Sequence, residues 1–139
     1  RSLSRGLGDV YKRQVLSMSR SRRTAKDAGT RFERLVADYL AGRLGSDIDR
    51  QVKTGSHDTG EIRGVSMAGR GIAIECKDYQ GRHELPKWLR EAETERRNRG
   101  AEYGVVVWKR RGTAIPGEQF VTMTLETFAA MLAGAGREE

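Results

Sequence analysis

Apolar residues recur at intervals of three, four and seven from Phe32 onward. Phe32, Leu35, Val36, Tyr39, Leu40 and Leu44 fall on one face of a helix. Thr24 is suited to cap its start, with Asp27 three residues on. The helix is therefore expected from Ala25 to Leu44, with Gly42 and Gly45 helping to end it. The period then changes to two. Ile48–Thr54 alternates as a strand, the turn-rich Gly55–Gly60 follows, and Glu61–Met67 and Gly71–Lys77 read as two further strands joined at Ala68–Gly69–Arg70. Pro86 marks the first turn of a second helix whose apolar side is Leu85, Trp88, Leu89 and Ala92, and Gly100 stops it. Its other side, carrying Glu91, Glu93, Glu95, Arg96, Arg97 and Arg99, is expected in solvent. Tyr103–Trp108 is a continuous apolar run, the pattern of a strand covered on both faces. Gln119–Thr122 reads as an edge strand. Thr124 is placed to cap a last helix with Leu125, Phe128, Ala129 and Leu132 inward. The order helix, three strands, helix, two strands, helix predicts an α/β protein with a mixed central sheet flanked by helices.

Residues 1–14 show neither period, and their ending, Asp9–Gln14, resembles translated adapter sequence; Met18 is a natural start just downstream. Residues 1–17 are accordingly expected to be a non-native or disordered extension, and 18–139 a single domain. Of 139 residues, 32% are charged, above the usual share of about 25%. The formal net charge is +7, and removing Arg1, Arg5, Lys12, Arg13 and Asp9 leaves +4. A basic surface favours a polyanionic partner. No apolar stretch approaches the roughly 20 residues a membrane span needs. Cys76 stands alone, which excludes a disulfide scaffold and fits a reducing interior. With only His57 and His83 to join it, a four-ligand zinc site is excluded as well, and neither histidine shows ligand spacing.

The chemistry gathers in the hairpin. Alternation puts Glu75 and Lys77 on one strand face, about 6–7 Å apart, and Ile72, Ile74 and Cys76 on the other. In the preceding strand Glu61, Arg63 and Val65 share a parity, and the turn brings Glu61 to the same sheet end as Glu75. Two converging carboxylates suit a hard divalent ion, which relieves their repulsion. Asp58, three residues earlier, is the alternative second acid; Glu61 is favoured because it lies on the strand, whereas Asp58 suits a turn. Glu33 sits at the margin of the first helix's apolar arc, where a carboxylate needs a reason: a rim salt bridge, or a cation held by the sheet. Trp88 shares its phase with Leu85 and Ala92 and is expected in the core, Trp108 in packing or a dimer contact. Tyr79 and Gln80, directly after Lys77, are positioned to line the site.

Glu33 in a first helix, Glu61-Ile62, and Ile74-Glu75-Cys76-Lys77, with an acid 14 positions before the last Glu, resemble the PD-(D/E)xK nuclease superfamily. The layout, from about Gly29 to Lys109, is most similar to archaeal-type Holliday junction resolvases and their phage and actinobacterial relatives. One departure is that Glu61 stands where the family usually has Asp. The resemblance implies a restriction-endonuclease-like sheet and magnesium-dependent hydrolysis of DNA phosphodiesters, with manganese as a substitute. Glu33, Glu61, Glu75 and Lys77 would be catalytic. Glu61 (or Asp58), Glu75 and the carbonyl of Cys76 would hold the ion, Glu33 ligating through water or serving a second one. Lys77 would position the water or offset transition-state charge. The substrate implied is branched DNA, cut by a symmetric homodimer in the cytoplasm of a bacterial or phage-infected cell. Duplex nicking and non-catalytic DNA binding on the same scaffold are the alternatives. Arg22, Arg23, Arg63, Arg70, Arg82, Lys109, Arg110 and Arg111 are candidates for backbone phosphates.

Overall fold

The apolar run Tyr103–Trp108 forms the strand that the rest of the sheet surrounds, its first five residues buried. The computed structural model describes residues 3–45, 48–51 and 61–134, and side chains within 22–45, 48 and 61–134. In chain order the elements are α1 (Leu3–Leu44), β1 (Asp49–Gln51), β2 (Glu61–Arg63), β3 (Ser66–Met67), β4 (Arg70–Lys77), α2 (Leu85–Arg99), β5 (Tyr103–Trp108), a 3-10 turn at Pro116–Glu118, β6 (Phe120–Thr122) and α3 (Leu125–Ala133). The main sheet runs β1-β2-β4-β5-β6, and β3 pairs with the start of β4. Only β4 and β5 are parallel, and α2 is the crossover between them. The chain is thus a mixed α/β protein. Among the described residues, no helix is long and apolar enough to cross a membrane.

Two apolar clusters sandwich the sheet. Phe32, Val36 and Ala37 of α1 pack with Ile62, Val65, Ile74, Cys76, Val105 and Val107 on one face. Trp88 and Ala92 of α2 pack with Val106 on the other. The alternation of β4 and β5 therefore faces its odd and even positions to different helices.

Four local features differ from expectation. The helix does not start at Ala25: it runs unbroken from Leu3, and Thr24 lies inside it. No proline precedes Pro86 to interrupt the helix, and an interior Thr costs only tenths of a kcal/mol. The expected strand Glu61–Met67 is split at Gly64, which takes φ 90°. The expected strand Ile48–Thr54 is represented by Asp49–Gln51; its later residues, with His57 and Asp58, lie outside the described residues. Thr124 does cap α3, accepting a hydrogen bond from Thr127 N, but the helix turns Thr127 and Met131 inward. Leu125 (80% exposed), Phe128 and Leu132 point to solvent.

Candidate active site

Glu61 and Glu75 stand directly opposite one another in the β2–β4 ladder. Register partners share a face, and Glu75 is also level with Val106, which packs under α2. Both carboxylates therefore lie between sheet and α2, each 1% exposed. Lys77 follows two residues later on that face, also buried.

A bulge produces this alignment. The hairpin turns on Ala68–Gly69, so Met67 faces Arg70, Ser66 faces Gly71, and Val65 O accepts from Ile72 N at 2.8 Å. Continued regularly, that register would set Glu61 against Cys76, on the α1 face. Instead Ile62 faces Ile74, so Arg63 and Gly64 together span the single residue Ala73. The extra residue swings Glu61 onto the side of Glu75. It also sends Val65 into the α1 core, where it does not share a face with Glu61 as simple alternation had it.

Glu61 and Lys77 each have an oppositely charged neighbour supplied by α2. Arg99 Nε lies 2.7 Å from Glu61 Oε1, an ion pair without hydrogen-bond geometry, for that oxygen accepts no hydrogen bond. Arg99 Nη1 also donates to Ile62 O at 3.3 Å. Arg63 Nε is at 4.0 Å from the same Glu61 oxygen. Lys77 Nζ donates to Glu91 Oε2 at 2.5 Å. The face of α2 expected in solvent is thus partly turned inward. Arg96 is buried too, with Nη2 and Nε donating to Glu93 at 2.7 and 3.0 Å and Nη1 to Ala101 O. Arg99 and Glu91 were missed as site residues because their partners are far away in sequence; only the low apolar content of α2 signalled that it buries charge.

Glu33 of α1 is buried, as its phase required. Its charge acts on the Cys76 thiol. Burial first, then the negative charges of Glu33 and Glu75, push that thiol well above its ordinary value, with Lys77 opposing. Among the described residues no three His, Cys, Asp or Glu side chains gather as a metal cluster. Glu61 and Glu75 are the two carboxylates opposed across the ladder.

The candidate phosphate contacts scatter. Arg22 and Arg23 are exposed on α1. Arg70, at the start of β4, donates to Gly134 O, and Arg63 lies toward the same end. The Lys109 ammonium donates to Arg110 O, at 2.7 Å, and to Thr113 O, tying the loop after β5 together. Arg82, Arg110 and Arg111 are exposed at the end of the sheet where β4 and β5 finish. Trp88 is in the core, as expected, and Trp108 packs on it with Nε1 donating to Thr122 Oγ1 at 2.8 Å. No family model, no curated protein and no solved structure matches the chain.

Proposed function

We propose that the chain is a metal-dependent DNA endonuclease on a restriction-endonuclease-like, PD-(D/E)xK scaffold, acting on four-way junctions. The observation that carries the reading is the cross-strand pair Glu61–Glu75, buried on one face with Lys77 next in line. The element order and the parallel β4–β5 pair under the crossover helix are in keeping with it.

The donor set fits magnesium. That ion takes oxygen ligands, commonly one or two carboxylates, and leaves its other positions to water and substrate phosphate. Glu61 and Glu75 supply the carboxylates, with the Cys76 carbonyl as the backbone donor between Glu75 and Lys77. When bound, the ion supplies polarisation of the phosphate and a more acidic water. Lys77 contributes a cation held in place by Glu91, positioned to offset charge that develops on the phosphate oxygens. Arg99 offsets Glu61, a role it would share with a divalent cation held by that carboxylate. A four-way junction needs two paired cuts, so the reading includes a symmetric homodimer.

A second reading, a non-catalytic DNA-binding module, is favoured by one observation: Arg99 already supplies the positive charge beside Glu61. Incubation with a synthetic four-way junction and magnesium separates the two. Cleavage that falls about a hundredfold or more in Glu75→Gln supports the enzyme. Binding that is salt-sensitive, indifferent to magnesium and never followed by cleavage supports the module. Parallel reactions on linear duplex distinguish a junction enzyme from a nicking or restriction-like one.

A further inference from the structure

Because β4 and β5 are parallel, the chain leaves both at the same end of the sheet, just past Lys77 and Trp108. The two exit loops are locked together. Gly81, at φ 86°, lies so close to the second loop that a Cβ on it would stand 2.7 Å from Arg111 Cβ. Arg111 Nε lies 3.5 Å from Gln80 O. Gln119 clasps the second loop, its Oε1 accepting from Arg110 N at 2.7 Å and its Nε2 donating to Ile115 O at 2.8 Å and Thr113 O at 3.2 Å. This is a built surface.

Across it runs a chain of aromatic rings. Tyr79 stacks on Trp88 with centroids 5.3 Å apart and planes at 27°, Trp88 meets Trp108 at 6.1 Å, and Trp108 meets Phe120 at 4.9 Å. The inner indoles are packed, which accounts for them. The outer rings are only part-covered: Tyr79 is 48% and Phe120 42% exposed. Cations surround them. Arg110 Cζ lies 5.4 Å from the Phe120 centroid, and Arg82 and Arg111 are exposed in the same two loops. Of the acids in the first loop, Asp78 accepts from Gln80 N and Glu84 lies 3.8 Å from Lys87.

We propose that Tyr79 and Phe120, with the guanidinium groups of Arg110 and Arg111, form a stacking site for unpaired bases of a DNA strand. Flat aromatic faces beside exposed cations suit nucleotides: rings take bases and guanidinium groups take phosphates. A duplex hides its base faces, so it engages the cations alone; only unpaired nucleotides use the whole surface. Tyr79 lies two residues beyond Lys77, so a base stacked there holds its strand beside the Glu61–Glu75 pair. The inference deepens the nuclease reading and rests on it for the choice of DNA.

The test is binding in EDTA, where cleavage plays no part, using the full chain and labelled oligothymidylate of about 15 nucleotides, within the usual site sizes. A strand of equal length built of abasic sites carries the same phosphates without bases. Wild type is expected to bind oligothymidylate at least tenfold tighter than the abasic strand. Tyr79→Leu and Phe120→Leu are each expected to lose about 5- to 100-fold on oligothymidylate with abasic binding unchanged. Tyr79→Phe, which keeps the ring, is expected to match wild type. Equal affinity of wild type for both strands overturns the proposal, as does Tyr79→Leu binding oligothymidylate like wild type or losing both strands equally. Base-dependent binding without magnesium-dependent cleavage sinks the nuclease reading and keeps this one; cleavage with base-independent binding does the reverse.

Discussion

Glu61 faces Glu75 across the β2–β4 ladder because two residues, Arg63 and Gly64, occupy the space opposite Ala73. A one-residue change of register moves a side chain to the other face of a sheet. Gly64, held at φ 90°, is the residue that absorbs the change. A β-branched residue there resists that conformation, at about 1–3 kcal/mol. Gly64→Val is therefore expected to lower the thermal unfolding midpoint and cleavage together. Deleting Gly64 is expected to be milder, because the regular hairpin then sets Glu61 opposite Glu75 without a bulge. If the deletion abolishes cleavage of a four-way junction while the substitution spares it, the role given to the bulge is wrong.

Arg99 is the second consequence of that pairing. Glu61 is sealed from water, and Arg99 Nε at 2.7 Å is its nearest counter-charge. Removing one member of a buried ion pair leaves the other uncompensated, at about 3–5 kcal/mol. Arg99→Met is expected to unfold at lower temperature than wild type, and added magnesium to raise its midpoint by more than it raises wild type's, since a ligand of the folded state stabilises by mass action. Differential scanning fluorimetry with and without the ion reads both. An equal magnesium shift in the two proteins would show that Arg99 and the cation do not share Glu61.

Cys76 predicts the alkaline limb of stability. Its thiol is pushed above its ordinary value near 9 by burial and by Glu33 and Glu75. Above that value the unfolded chain releases the thiol proton while the folded chain retains it. The unfolded state then binds fewer protons, and stability falls with rising pH, by at most about 1.4 kcal/mol per unit. Below pH 8 the group contributes no slope. Urea titrations between pH 8 and 10 are expected to show a shallower fall in Cys76→Ala than in wild type, and native Cys76 is expected to resist thiol reagents. Rapid labelling of the folded protein would contradict this.

The basic residues divide by what they already hold. Arg110 and Arg111 are exposed at the loop end of the sheet, whereas the Lys109 ammonium is bound to Arg110 O and Thr113 O. A phosphate contact contributes about one unit to the slope of log affinity against log salt. Arg110→Ala and Arg111→Ala are each expected to reduce that slope by about one, measured by anisotropy on duplex DNA. Lys109→Met is expected to leave the slope unchanged and to lower thermal stability. A Lys109 variant that loses slope would return it to the phosphate-binding set.

Much of this architecture could be read from local signals. Pro86 and Gly100 bracket α2, and the unbroken apolar run of Tyr103–Trp108 marked the central strand, because both depend on near neighbours. Glu61 and Glu75 were legible as a pair, although by a parity argument that omitted the bulge. The missing parts are long-range. Arg99 acquires its meaning from Glu61, 38 positions earlier, and Lys77 its partner from Glu91, so α2 looked merely charged. The amphipathic pattern of α3 named the wrong face, since Thr127 and Met131 fill the space beside the sheet and Leu125, Phe128 and Leu132 are left outward. Glu33 was legible as a carboxylate at a buried margin, because helical phase depends only on near neighbours.

The most direct test is a calorimetric titration of magnesium, with manganese in parallel, into wild type, Glu61→Gln and Glu75→Gln. Two opposed carboxylates predict saturable binding by wild type that either substitution weakens by at least about tenfold, the range seen when a metal site loses a supporting group. Heats that are absent from wild type, or unchanged by both substitutions, would contradict the assignment of Glu61 and Glu75 as the ion's carboxylates.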